Sequence, residues 1–449
     1  LSALNRFPKS HLFLKLFAHD PGFGGNVFSA LTLACAAPVA YAAVARLLHH
    51  RLAAAAAAAV LFVFWSYYVW LVGLFAVIYA PQILAVAIFG YTLVRLNETP
   101  TRRWALGAGV AFGICVAIHP VNAVFAPSIV AIYLARRIPM PIALIAGGVA
   151  VLVVGVTALY FPIRYAVSDS LALNLSEAYT ADGSVTRIPL NTLAGILWML
   201  SGRQFDWLFF ESAPFLPTAL AQTAVNFFRG LIGIGVVLGG VGLVELGRRR
   251  GLVIVWGLLF VPYTLFFATY GAVDRSLMFG PAYLLWILPL GAGFKWLYDA
   301  FGRRWGTGVL IALPLIILAV HLPRLNLSGE MSVRTNAEAI LNIAPADAHL
   351  FGIWTGITPI EYLHIVEGVR PDVTVYNLYQ FETGALPQYL TRLADQGEPL
   401  LLVDSQALNA LPPEVLTTTL RVITLAEIPT RIGEPRLMLF LLVPRYGIE

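Results

Sequence analysis

The sequence predicts an α-helical polytopic membrane bundle of about ten spans followed by a small extracytoplasmic α/β domain. Three observations carry this reading. The 449 residues are 59% hydrophobic and only 12% charged, where soluble domains are about one quarter charged, and the mean hydropathy is +0.78. Apolar runs approaching the ~20 residues that a bilayer crossing requires follow one another as far as His321. After Leu322 the pattern changes to short apolar strands separated by helical or turn-rich pieces, which reads as a largely parallel sheet with its helices.

Taken in order, residues 1–25 mix Arg6, Lys9, His11, Lys15, His19 and Asp20 with Phe7, Leu12, Phe13, Leu14 and Phe17, the pattern of an amphipathic helix at the membrane interface. Pro21, Gly22, Gly24 and Gly25 supply the turn into the membrane. The bundle, residues 26–322, is then read from runs at Val27–Leu47, Leu52–Ser66, Val69–Val94, Trp104–Ile118 and Val121–Ala135. Ile142–Pro162, Ala219–Leu246, Leu252–Tyr270, Leu277–Leu297 and Gly306–His321 follow. The shortest of them reach only ~24 Å at 1.5 Å per residue. They belong inside the bundle or in a locally thinned bilayer, with His119-Pro120 as a turn between two of them.

Orientation follows from the arginines. Arg46 and Arg51, then Arg95, Arg102 and Arg103, then Arg136 and Arg137, then Arg248, Arg249 and Arg250, then Arg303 and Arg304 fall at every second connection. The positive-inside rule puts these five clusters on the cytoplasmic side. The outer side then receives residues 1–25, the turn at His119-Pro120, the long loop 163–218, the Gly271–Arg275 turn and the α/β domain 323–449. In that domain residues 330–345 read as a helix, and strands are expected near His349–Ile353, Val373–Tyr376, Leu400–Val403, Arg421–Leu425 and Leu437–Val443.

The net charge of +5 does not point to nucleic acid, because the arginines sit in short clusters between apolar runs instead of forming a stripe. Cys35 and Cys115, the two cysteines, each lie inside an apolar run and read as small buried residues. No phosphate-cradling glycine loop, metal-ligand spacing or serine-nucleophile elbow stands out, so no cofactor is evident and no metal ligand is assigned, while the use of a divalent metal is left open.

The candidate chemistry lies on the outer side. His119 is either a ligand or proton carrier, or a hydrogen-bonded interfacial histidine. Arg164, just after Phe161-Pro162, either binds a phosphate through its planar fork or snorkels from a helix end. Ser201-Gly202-Arg203-Gln204-Phe205-Asp206-Trp207 sets a cation, an amide, a carboxylate and two aromatic rings within seven positions, as a sugar-binding or interfacial surface requires. Asp274 and Arg275 are either solvated turn residues or the rim of an outer cavity.

These residues, in order, resemble a family. Phe64-Trp65-Ser66, Gly113 through His119 with Pro127, Tyr160-Phe161-Pro162-Ile163-Arg164, Ser201-Gly202-Arg203-Gln204-Phe205, Tyr270 with Asp274 and Pro281, and Glu367-Gly368-Val369-Arg370-Pro371-Asp372-Val373 look like the bacterial membrane-protein family related to the eukaryotic transmembrane O-mannosyltransferase, within the C-type glycosyltransferases. The resemblance implies a multi-span enzyme of the bacterial cytoplasmic membrane that takes a sugar from a polyprenyl-phosphate carrier on the outer face. An acid in the first outer loop would serve as base, and cationic and aromatic residues would hold the lipid phosphate and the sugar.

Two departures accompany it. The family's acidic motif is expected upstream of Leu1, its His-Pro-Pro-Gly-Tyr-Pro-like stretch appears only as Phe7-Pro8-Lys9-Ser10-His11-Leu12, and no acid follows Trp65-Ser66 through Ala80. Asp20, the sole carboxylate before the first span, is therefore the candidate catalytic acid. Lys9, His11, His119, Arg164, Arg203, Gln204, Asp274 and Arg275 are the candidate substrate-binding residues. The alternative is a non-catalytic relative serving as a structural or assembly subunit, with protein partners in a membrane complex. A transporter is disfavoured because no acid lies mid-span, where a coupling site would need one.

Overall fold

The computed structural model describes residues 21–62, 79–167, 177–210, 213–231, 233–271, 275–325, 332–382, 384–403, 405–409, 411, 420–428 and 437–444. Its contacts divide the chain into two units. One comprises residues 1–168 and 190–326; the other joins residues 169–189 to 327–449.

The first unit is helical. Its elements are α1 (Pro21–Leu48), α2 (Arg51–Phe62), α3 (Tyr79–Glu98), α4 (Arg102–Ile118), α5 (Ala126–Ala135), α6 (Met140–Ala158), α7 (Tyr160–Val167), α8 (Leu193–Leu200), α9 (Leu216–Gly230), α10 (Ile234–Gly247), α11 (Arg250–Thr269), α12 (Arg275–Met278) and α13 (Gly280–Leu325). About ten spans were expected. Among the described residues five helices are long and apolar enough to cross a membrane, or six if one bent pair counts as a single span.

The difference has identifiable causes. The expected run at Leu52–Ser66 forms α2, whose 12 residues rise only ~18 Å. The run at Val121–Ala135 is split into a 3-10 turn, Pro120–Phe125, and the ten-residue α5. Ala219–Leu246 divides into α9 and α10, which lie at 105° to one another. Residues 63–78, which cover the end of one expected run and the start of the next, lie outside the described residues.

α13 shows the opposite effect, two expected spans in one helix. Gly302 interrupts it with φ 73° and ψ 168°, a conformation that glycine adopts without steric cost. A side chain at Gly306 would stand 2.7 Å from the Tyr298 carbonyl oxygen. Eight residues along a continuous helix would separate those positions by ~12 Å, so the chain folds back at Gly302. Each half is then ~33 Å long, enough for a crossing.

Small residues let these helices meet. Gly109 and Gly113 of α4 face Ala146 and Ala150 of α6, and a side chain at Gly113 would lie 2.7 Å from the Ala150 carbonyl oxygen. Gly242 of α10 lies against Pro289 and Gly293 of α13, and Gly239 against Trp286. Between helices in lipid, where tails are as apolar as leucine, such close approach is the main source of attraction.

The five arginine clusters share one end of the bundle. Arg46 reaches Glu98 at 3.0 Å, and Arg136 Nε donates to Asn97 Oδ1 at 2.9 Å. Arg249 donates to the Leu47 carbonyl at 2.7 Å. His50 packs edge-on against Tyr298, 4.5 Å between ring centroids, which ties in the turn at Gly302. The clustering that the sequence suggested is thus a property of the fold.

The second unit is built on a five-stranded sheet of β3 (His349–Gly352), β4 (Thr374–Asn377), β5 (Leu400–Leu402), β6 (Leu420–Ile428) and β7 (Leu437–Pro444), in the order β4-β3-β5-β7-β6. β3, β4 and β5 are parallel, and β7 runs against both β5 and β6. β7 is the exception to the expected parallel sheet because the link from β6 is too short for a helical crossover, which takes a dozen or more residues. Alternation along the strands sorts the two faces. Phe351, Leu400, Leu402, Phe440 and Leu442 pack with Leu386, Tyr389 and Leu390 of α16 (Ala385–Asp395). Leu350, Leu401 and Leu439 pack with Ile340 and Leu341 of α14 (Ser332–Ile343) and Ile357 and Ile360 of α15 (Trp354–Glu361).

A hairpin drawn from the long loop completes this unit. β1 (Glu177–Tyr179) and β2 (Val185–Arg187) pair antiparallel. Tyr179 then bridges to Phe381 and packs edge-on against Tyr376, and Thr186 Oγ1 donates to Glu382 at 2.6 Å. Beneath it, His349 Nδ1 lies 3.2 Å from the Tyr376 hydroxyl, which is 2.6 Å from that of Tyr389.

Two outcomes follow from this packing. Gly242→Ala drives a methyl group into the Pro289 carbonyl; overpacking of this kind costs ~1–3 kcal/mol. Its melting temperature in detergent should fall by several degrees, while Gly240→Ala, which meets open space, should not. Burial holds the His349 imidazole below its ordinary value of 6.5, a displacement that nearby Glu398 partly offsets. The unfolded chain therefore takes up the proton first, and stability that is complete above pH 6.5 declines as the pH falls below it. Thermal melts of wild type at pH 7.5 and 5.5 should show this loss. It should be smaller in His349→Gln.

Candidate functional site

The end of the bundle away from the arginine clusters is where α3 begins and where α4 and α11 end. α4 stops at Ile118 because Pro120 cannot continue the hydrogen-bond ladder. His119 takes extended backbone there, φ −146° and ψ 116°, and its Nδ1 accepts from the Val121 amide at 3.4 Å. The His119 ring lies 6.2 Å, edge-on, from Phe267 of α11. The histidine thus caps the 3-10 turn at this end of the bundle.

Arg203 and Gln204 fall on a second 3-10 turn, Arg203–Leu208, entered through Gly202 with φ 69°. Leu208 is buried, and its carbonyl accepts from the Gly271 amide at 3.0 Å. Phe209 packs on Phe266 and Tyr270. The end of α11 therefore gathers both His119 and the Arg203 turn, with the Arg203 side chain exposed. Arg164 lies in α7, one turn beyond Phe161, and Arg275 opens α12.

A groove lies at this end of the bundle. It is lined by Ile118 and Pro120 at the end of α4, Thr157 and Phe161 on α6 and α7, and Met199 and Leu200 at the end of α8. The lining is largely apolar, and the Thr157 hydroxyl is already spent on the Val153 carbonyl at 2.8 Å. The groove is small, and the turns bearing His119 and Arg203 adjoin it in sequence. Lys9, His11, Asp20 and Asp274 lie outside the described residues.

Sequence reasoning passed over the polar group at the heart of this end. Gln82 Nε2 donates to Asn122 Oδ1 at 3.0 Å and to the Tyr263 hydroxyl at 3.1 Å. Asn122 Nδ2 donates to the Cys115 carbonyl at 2.8 Å, and Tyr263 donates to the Met278 carbonyl at 2.9 Å. All three side chains are fully buried. They tie α3, the turn after His119, α11 and α12 together, and set the shape of the mouth. The available signal was an amide, Gln82, in an otherwise apolar run, since polar side chains in spans act as glue between helices.

The Glu367–Val373 stretch, part of the resemblance, has a structural task. Glu367 grips Arg334 with both oxygens, at 2.7 and 2.6 Å. Arg370 donates to the carbonyls of Leu341, Ala344 and Pro345 at the end of α14, which a helix leaves without partners. It also pairs with Asp372 at 2.7 Å, and this guanidinium holds the Asp372 carboxyl down at about 2. The motif clamps α14 onto the connection between β3 and β4.

Residues 10–161 match the family model for dolichyl-phosphate-mannose-protein mannosyltransferase. The matched third of the chain contains His119 and Pro120, and stops short of Arg164 and Arg203. No curated protein matches the chain. Among solved structures, ArnT from Cupriavidus metallidurans bound to undecaprenyl phosphate has a TM-score of 0.46 at 11% identity, covering 95% of this chain and 85% of that one. ArnT in the apo state has a TM-score of 0.37 at 12% identity, covering 93% and 83%. Likeness at this level does not carry ArnT's ligand over to this chain.

The buried amide generates a test. Gln82→Leu removes two hydrogen bonds and leaves Asn122 Oδ1 without its donor, at a cost of ~1–3 kcal/mol per stranded group. Its melting temperature in detergent should fall, and so should that of Tyr263→Phe, which strands the Met278 carbonyl and one Gln82 N–H. Equal melting of Gln82→Leu and wild type would remove the network from the framework of this end.

Proposed function

We propose that the protein is a membrane glycosyltransferase that takes a sugar from a polyprenyl-phosphate carrier and transfers it to an acceptor hydroxyl at the end of the bundle opposite the arginine clusters, the extracytoplasmic side of a bacterial cytoplasmic membrane. The observation that supports this best is the apolar groove between α4, α6, α7 and α8, adjoined in sequence by the turns that carry His119 and Arg203 and the helix that carries Arg164, in a chain whose first third matches a mannosyltransferase family. An isoprenoid needs an apolar bed, and its phosphate needs cations at the bed's mouth.

In this reading the groove takes the isoprenoid nearest the phosphate. Arg164, Arg203 and Arg275, with Lys9, surround the phosphate, the leaving group whose growing charge they stabilise. Asp20, immediately before α1, takes the proton of the acceptor hydroxyl. The hydroxyl oxygen bonds to the sugar's anomeric carbon as the bond to the phosphate oxygen breaks, releasing polyprenyl phosphate. His11, His119, Gln204 and Asp274 supply hydrogen bonds to the sugar. The C-terminal residues 323–449 lie outside the membrane, on its extracytoplasmic side.

Donor binding to the purified full chain in nanodiscs tests this. Arginine and phosphate form charge-assisted hydrogen bonds, so Arg164→Ala and Arg203→Ala should each weaken binding by about tenfold or more. Arg421→Ala, on β6, should leave it unchanged. Asp20→Asn should bind donor and fail to turn it over. Donor binding without turnover in wild type would point to the non-catalytic subunit, and uniform affinity across the arginine variants would remove the donor from this groove.

A further inference from the structure

The opposite end of the bundle has a composition that the transfer reaction does not use. Twelve arginines and Lys295 lie on its connections, against Glu98, Glu245 and Asp299. Each of those acids is already engaged: Glu98 by Arg46 and Arg95, Glu245 by Arg248, and Asp299 by Lys295. No carboxylate among the described residues pairs with Arg102, Arg103, Arg136, Arg137 or Arg250. All five are exposed.

The helix dipoles do not account for this charge. α1 and α3 end here with Arg46 and Arg95 in their last turns, where a cation is favoured. α2, α4 and α11 begin here with Arg51, Arg102-Arg103 and Arg250, and none has an acid in its first turn, where the dipole disfavours a cation. Arginines stand at both kinds of helix end, so their negative counterpart lies outside the helices.

Its nature follows from the neighbouring surface. Leu134 is 72% exposed, Val244 79% and Trp305 71%, each within four positions in sequence of Arg136-Arg137, Arg248 or Arg304. Trp104 sits among the cations, with the Arg95 guanidinium 4.7 Å from its ring centroid and that of Arg103 at 5.8 Å. Unpaired cations bordered by exposed apolar side chains fit a molecule that presents a phosphate and acyl chains together.

We propose that this face is a binding surface for anionic phospholipid, with Arg102, Arg103, Arg136 and Arg137 engaging the phosphodiester headgroup and Leu134 and Trp104 the adjoining acyl region. The partner is the anionic leaflet itself, and the interaction is independent of the transfer reaction at the other end.

The test uses the purified full chain in detergent, titrated with short-chain phosphatidylglycerol, with phosphatidylcholine of the same chain length and with inorganic phosphate, and read by the shift in melting temperature. Phosphatidylglycerol should raise it saturably, and the other two should not. The response should weaken as sodium chloride rises, because exposed charges are screened. In R102Q/R103Q/R136Q/R137Q the half-saturating concentration should rise tenfold or more, while the four-lysine counterpart, which keeps the charge and controls for folding, should still respond. Equal shifts with the two lipids, a full response in the glutamine variant, loss of the response in the lysine variant, or a matching response to inorganic phosphate would each overturn the proposal.

Discussion

An ionised group in hydrocarbon costs so much that its position along a span is fixed almost entirely by where water or headgroups begin. In this chain that constraint sorts the ends of the bundle. The cations of five connections, spread over 258 positions from Arg46 to Arg304, come together through contacts such as Arg46 with Glu98 and Arg249 with the Leu47 carbonyl. With that end assigned, α3, α4 and α11 must present His119, Gln82 and Phe267 at the other, and the apolar groove lies there with them. The candidate site is therefore a consequence of charge placement before it is a consequence of any motif.

The same physics explains what the sequence made legible. Arginine clusters and long apolar runs are properties of composition over tens of residues, and both survived comparison with the structure as one cationic face and a set of spanning helices. Helix interruptions are decided by single residues in context. Gly302 turns α13 back on itself where composition shows only a short polar break, and His119-Pro120 splits an apolar stretch into pieces too short to cross alone. Hydropathy records how much apolar surface is present and not how the chain bends within it. Gln82, Asn122 and Tyr263 were illegible for a related reason: each is one polar residue in an apolar run, and only the fold shows that they meet.

Motifs were legible as a set and less so one by one. The stretch around Glu367 to Val373 contributes to a family resemblance, yet its charges are consumed in clamping α14, with Arg370 satisfying helix carbonyls and Glu367 holding Arg334. Charged residues that recur together signal a constraint, and here the constraint is the geometry of an α/β unit. His119 shows the same division. Its imidazole caps a turn whose first residue, Pro120, lines the groove, so its structural role is set beside the candidate site.

The long connection between α7 and α8 read as a single outer loop, because its density of charge bars it from the membrane and nothing local gives it a partner. Its partner is distant in sequence. A two-stranded hairpin is marginal by itself in water, and β1–β2 gains order from Phe381, Tyr376 and Glu382, nearly two hundred positions further on. Residues 169–189 leave the helical unit, complete the sheet unit and return, so the chain passes between the two units at three points instead of the one that a linear division implies. A C-terminal fragment starting after α13 would thus lack part of its own surface, and the membrane-embedded unit would carry a hairpin with nothing to hold it. The two units are separate in their cores and are not separable by a single cut.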